Sequence, residues 1–192
     1  MKKKIIIFLI LGLTFISGCA RTVTQRPKGY LGINISFYNS LIFQQDNSYY
    51  AFIVAFSKDS TITEDPSTWD YFIMYDGDNQ KFLWGIYDAD SSSWSTSDFS
   101  SYGTLLSGNI SENGLQFSFK ISISLFSELT QVYMKIFFFS YDPSAGDPPS
   151  GLIDLGWEYP ASDVISINLS VYPFSLDLPS SDVIWGIRIW TE

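Results

Sequence analysis

An antiparallel β-sandwich of about ten strands is the fold this sequence predicts, with a closed barrel as the alternative. Three observations predict it. Apolar residues recur at every second position in many segments, no stretch of a dozen residues keeps a 3.6-residue period, and the connections are rich in Ser, Asp, Pro and Gly. Period two puts alternate side chains on opposite faces of a strand, whereas the same residues on a helix would spread all round it and bury no single face. Many such segments separated by turn-forming residues are the pattern of stacked antiparallel sheets.

The chain opens with Met1-Lys2-Lys3-Lys4, an apolar run from Ile5 to Ile16, and then Ser17-Gly18-Cys19-Ala20. The apolar run is too short for a bilayer span, for which about 20 residues are needed. A charged start, a short apolar run and small residues before the only cysteine in the chain resemble the signal of a bacterial lipoprotein, with Ile16-Ser17-Gly18-Cys19 as the lipobox. That resemblance implies cleavage after residue 18, a lipid on Cys19, and an address on the outer side of the cytoplasmic membrane. Ala20 is not the Asp that keeps some lipoproteins at an inner membrane. Residues 19–28 carry Arg21, Arg26 and Lys28 and no acid, so they read as a short basic tether beside anionic headgroups.

Residues 29–192 read as one domain. Strands are expected near 30–38, 49–57, 69–76, 81–88, 103–111, 114–125, 131–141, 152–157, 164–172 and 182–191. The longest alternation is Leu115, Phe117, Phe119, Ile121, Ile123 and Leu125 against Gln116, Ser118, Lys120, Ser122 and Ser124. Similar sets are Leu31, Ile33, Ile35 and Phe37; Tyr50, Phe52, Val54 and Phe56; Ile165, Ile167, Leu169 and Val171; and Val183, Trp185, Ile187 and Ile189. The run Val132 to Phe139 is apolar on both faces except at Lys135, which marks a central strand. Seven of the eleven residues from Ser91 to Ser101 are serine, so Ala89 to Tyr102 reads as a polar, mobile loop.

Asp76-Gly77-Asp78-Asn79-Gln80 reads as the turn of a hairpin. Pairing Asp76 with Lys81 sets Tyr71 against Ile86, Ile73 against Trp84 and Tyr75 against Phe82. Trp69 would share that face, and Asp70, Phe72, Met74, Leu83, Gly85 and Tyr87 would share the other.

The composition excludes several chemistries. There is no histidine, which removes Ser-His-Asp and Cys-His catalysis and the commonest zinc ligand. Beyond Cys19 there is no cysteine for a disulfide or a thiolate site. All 20 acids lie after residue 28, against five bases (Lys58, Lys81, Lys120, Lys135 and Arg188), so the domain carries a net charge of −15. That argues against nucleic acid, whose phosphates need cations to neutralise them.

Candidate sites remain. The acids at the open end of the hairpin, Asp70, Asp88 and Asp90, offer oxygen donors to calcium, though without EF-hand spacing. Asp76 and Asp78 lie roughly 20 Å away at the turn, at 3.3 Å per residue, so the two groups cannot share one site. A carboxylate hydrolase needs a pair roughly 5 to 9.5 Å apart, drawn from one group or from a distant loop. Trp94, Phe99 and Tyr102 in the serine-rich loop, with Trp69 and Trp84 of the hairpin, are the aromatic rings available to stack on sugars. The apolar hairpin face is expected in the core, which leaves Trp94 the best placed.

Tyr50-Ala51-Phe52-Ile53-Val54-Ala55-Phe56, then Trp69-Asp70-Tyr71-Phe72-Ile73, then the long alternation ahead of an aromatic strand and a proline-rich loop, resemble DOMON-like sandwiches related to carbohydrate-binding family 9. The resemblance covers most of residues 30–192. It implies binding of sugars or, in some members, haem, for which this chain has no histidine ligand. The expectation is a lipid-anchored, extracytoplasmic binding module for carbohydrate. The alternative is an interaction protein of the cell envelope that holds a protein partner and no small ligand.

Overall fold

The computed structural model describes residues 29–192 apart from 47, 108–115, 127–128, 147 and 172. Cys19, the tether and Leu115 lie outside the described residues. Thirteen strands are found among those described: β1 Tyr30–Phe37, β2 Gln44–Gln45, β3 Ser48–Ser57, β4 Tyr71–Asp76, β5 Lys81–Asp88, β6 Ser93–Asp98, β7 Gly103–Ser107, β8 Gln116–Ser122, β9 Gln131–Tyr141, β10 Leu152–Tyr159, β11 Ile165–Asn168, β12 Ser175–Leu178 and β13 Ile184–Thr191. They form two antiparallel sheets, not a closed barrel. The smaller has the order β12-β13-β1-β8-β7, and the larger β10-β9-β3-β4-β5-β6, with β11 added on β9 and β2 on β3.

The alternation fixes what lies between the sheets. Leu31, Ile33 and Ile35 of β1, Phe117, Phe119 and Ile121 of β8, and Ile187 and Ile189 of β13 meet Phe52, Val54 and Phe56 of β3, Ile73 of β4 and Trp84 of β5. Ring contacts tie the layers together: Phe52 to Phe117 at 4.8 Å and Phe56 edge-on to Phe126 at 5.3 Å. The β4–β5 hairpin has the expected register, with Tyr71 opposite Ile86, Ile73 opposite Trp84, Tyr75 opposite Phe82 and Asp76 opposite Lys81. Asp76 closes the turn by accepting from the Asp78 and Asn79 N–H groups at 2.9 and 3.2 Å.

The larger sheet is covered on its outer face as well. Ala51, Ile53, Phe72, Met74, Phe137 and Phe139 point outward and are buried under Ile62 and Trp69. This explains why β9 is apolar on both faces. It also corrects the expected place of Trp69. A 3-10 turn at Pro66–Thr68, capped by Asp65 accepting from the Ser67 N–H, precedes β4, which begins only at Tyr71. Trp69 therefore leaves the strand's alternation and stacks on Phe137 at 5.3 Å, its Nε1 donating to the Thr63 carbonyl at 2.8 Å.

Other boundaries move for local reasons. The expected strand 114–125 is observed as Gln116–Ser122, followed by a 3-10 turn at Ile123–Phe126 that buries Ile123 and Phe126. Trp185, expected inward, is 64% exposed, while Ile184 is buried. A register shift between Ser36 and Phe37 of β1 sets Phe37 opposite Ile184, and such an irregularity inverts the parity of the residues beyond it. β6 and β12 occupy segments expected to be loops. β6 forms because β5 offers a full edge to pair with and because Trp94 packs on Phe72 at 4.8 Å. Serine's weak strand preference is overridden by that context.

The chain enters beside Glu192, since the Ile123 N–H donates to the Gly29 carbonyl and the Tyr30 N–H donates to the Glu192 carbonyl. The β4–β5 turn lies at the other end, where Phe43 packs on Tyr75 at 4.5 Å and the main chain of Phe43 and Tyr50 crowds Gly77.

Candidate functional site

The aromatic residues singled out in the sequence are packing residues to differing degrees. Trp69, Trp84 and Phe99 are each 1% exposed, so none offers a ring face to a ligand in this structure. Tyr102 is half-buried and stacks on Trp84 at 6.0 Å. Trp94 is not on a mobile loop. It stands on the outer face of β6, half-buried among Trp69, Phe72 and Tyr87.

The acids of the open hairpin end do share one end, where the Tyr87 N–H donates to the Asp70 carbonyl at 2.9 Å. Their carboxylates, however, serve local partners. Asp70 accepts from Ser57 Oγ at 2.9 Å and the Lys58 N–H at 2.8 Å, with Lys58 Nζ 3.6 Å away. Asp88 accepts from Ser91 Oγ at 2.7 Å and the Asp90 N–H at 3.0 Å, which holds it below the usual carboxylate range. No group of three or more acids is gathered for a metal among the described residues.

At the opposite end a cleft of about 330 Å³ opens on the outer face of the larger sheet. Asp76, Asp78 and Lys81 of the hairpin turn, Thr96, Ser97 and Asp98 of β6, and Pro143, Gly146 and Pro148 after β9 line it. Asp98 Oδ1 accepts from the Ser100 hydroxyl and N–H, which holds the carboxyl below its ordinary value, with a smaller contribution from Lys81. A carboxylate shifted in this direction is a hydrogen-bond acceptor at neutral pH, and a general acid needs the reverse shift.

The outer face of the smaller sheet is different in kind. Strand parity places Tyr30, Asn34 and Ser36 of β1, Gln116, Ser118 and Lys120 of β8, and Arg188 and Trp190 of β13 on one polar surface. Gly32 lies directly between Trp190 and Lys120. The indole lies against that glycine, so that a Cβ built there would sit 2.2 Å from the ring. Only a residue without a side chain lets the ring settle flat on the strand. Trp190 Nε1 donates to Glu192 Oε2 at 3.3 Å, and Lys120 Nζ bonds Glu192 Oε1. Lys120 first, and Trp190 after it, hold the Glu192 carboxyl below its usual range. Gln116 Nε2 donates to Asn34 Oδ1 at 2.8 Å, and Tyr30 is 50% exposed beside the group.

The sequence reading passed over Trp190. The signal was there: in 182–191 the apolar set alternates with Gly186, Arg188 and Trp190, so an indole falls on the outward parity among polar residues, opposite a glycine. No family model matches this chain, and no curated protein or solved structure matches it.

Proposed function

We propose that this protein is a lipid-anchored, extracytoplasmic binding module for carbohydrate, and that its ligand rests on the outer face of the smaller sheet. One observation carries the reading: Trp190 lies against Gly32 on a polar sheet face, with Lys120, Glu192, Arg188, Asn34 and Tyr30 around it. An indole face is the negative part of the ring's quadrupole, and the polarised C–H groups of a sugar rest on it. Carboxylate, amide, ammonium and guanidinium groups around the ring supply the acceptors and donors that hydroxyl groups need. The resemblance of residues 1–20 to a lipoprotein signal supports an address at the cell envelope, where glycans are abundant.

The test is isothermal titration of the full chain in detergent micelles against soluble hexasaccharides of glucose, xylose, mannose and N-acetylglucosamine, with and without calcium. Trp190→Ala weakens the best ligand about tenfold or more, which corresponds to about 1.4 kcal/mol per decade. Gly32→Ala keeps the tryptophan but lifts the ring off the strand, and it weakens binding in the same direction while the fold survives, because a surface ring has room to swing away. Absence of heat for every sugar, or Trp190→Ala binding as tightly as the parent, contradicts the reading.

A further inference from the structure

We infer that β6 is a docking edge for an extended, basic segment of a partner protein, which adds to the larger sheet as a further strand and places a cationic side chain in the cleft at Asp98.

The edges of the two sheets differ in how they are guarded. β10 is broken by register shifts at Leu152/Leu155 and Leu155/Trp157, and β7 by one at Leu105/Ser107. β12 has only four residues, lies between Pro173 and Pro179, and carries Asp177. Bulges, prolines and very short strands are the usual protection against unwanted strand addition. β6 has none of these. Its six residues pair with β5 in unbroken register from Asp98–Leu83 to Ser93–Asp88, and it contains no proline, glycine or basic residue. Among the described residues no loop or turn backbone hydrogen bond covers Ser93–Asp98. An open, regular edge of this length is a template for main-chain pairing.

Charge identifies the occupant. Asp88 and Asp90 lie beside the Ser93 end, while Asp98, Asp78 and Asp76 stand at the other, against Lys81 as the one cation among the described residues lining the cleft. A second copy of the chain would bring equally acidic ends together, so self-pairing is disfavoured and a basic segment is favoured. Side chains also set the spacing. Trp94, Thr96 and Asp98 share the outer face, opposite Tyr87, Gly85 and Leu83. An added strand therefore presents one side chain beside Trp94 and another, four residues along and about 13 Å away, beside Asp98 and the cleft. Arginine suits the indole by cation–π contact, and lysine or arginine suits the carboxylates. The expected ligand is an extended segment with basic residues at positions i and i+4 and β-branched residues between them.

Fluorescence anisotropy with the labelled heptapeptide Thr-Arg-Val-Thr-Val-Lys-Thr and the full chain in detergent micelles tests this. The peptide is expected to bind at least tenfold more tightly than an isomer whose basic residues are three apart, and its affinity falls as salt is added. Thr96→Lys, which guards the edge at an outward position, and Asp78→Lys, which reverses charge at the mouth of the cleft, each weaken it about tenfold or more. Both sites are on the surface, and an unchanged circular dichroism spectrum checks their folding. Equal affinity for the two spacings, full affinity of Thr96→Lys, or a concentration-dependent dimer abolished by Thr96→Lys would overturn the inference, the last because the edge would then pair with its own copy.

Discussion

Trp69→Ala lowers the free energy of unfolding by about 3–5 kcal/mol, the cost of truncating a fully buried aromatic residue. The ring is 1% exposed and fills the layer between the outer face of the larger sheet and the loop above it. Its removal deletes the stack on Phe137 and the edge contact with Phe72, and it strips the Thr63 carbonyl of its donor. Against a typical total of 5–15 kcal/mol this is a large fraction. Trp94→Ala, at a half-buried position on the same layer, costs less, about 1–3 kcal/mol. Urea denaturation checks both, with the midpoint falling while the slope stays constant. A Trp69→Ala variant as stable as the parent would mean that the outer layer does not pack as described.

Glu158→Ala destabilises through charge, by about 3 kcal/mol, toward the lower part of the range for breaking a buried pair because the glutamate side chain is 23% exposed. Lys135 stands on the outward face of β9 beside Phe137, only 6% exposed, with Nζ 3.0 Å from Glu158 Oε2 and 5.7 Å from the Phe137 ring centre. Removing the carboxylate leaves an ammonium among apolar side chains with no ion-pair partner, whereas replacing both residues by apolar ones of similar volume removes the cost of desolvating them. Lys135→Met combined with Glu158→Leu is therefore close to neutral or stabilising. Chemical denaturation of Lys135→Met, Glu158→Leu and the double variant gives the coupling energy directly. If Glu158→Ala unfolds at the parental midpoint, the pair contributes nothing and Lys135 reaches water by another route.

The sequence made the β4–β5 hairpin legible to the residue, because two apolar arms flank an Asp-Gly-Asp-Asn turn, and setting Asp76 against Lys81 fixes every pair beyond it. The same parity put Phe117 and Ile121 in the core. What it could not supply was coverage. Phe72 and Met74 were read onto the second face correctly, but nothing local says that a loop carrying Ile62 and Trp69 returns to bury that face. Seven serines hid β6, whose formation depends on β5 as a partner and not on its own residues. Trp185 was misplaced because it is the extra residue of a bulge in β13, skipped between Gly186 opposite Ser36 and Ile184 opposite Phe37, and plain alternation does not anticipate a bulge. Trp94 and Tyr102 were chosen as sugar contacts for lying in a presumed loop and Trp69 for its place on the hairpin, and the structure packs all three against other rings. Trp190 was within reach of the same parity rule, had it been applied to the polar set as well as the apolar one.

The binding account stands on the polar outer face of the smaller sheet, and amide chemical-shift mapping of the labelled protein with its tightest-binding hexasaccharide tests it most directly. The account predicts perturbations gathered at Gly32, Asn34, Lys120, Arg188 and the Trp190 indole N–H, with β3 and β9 undisturbed. Perturbations gathered instead at Trp94 and Tyr102, or in the Asp76–Asp98 cleft, would contradict it.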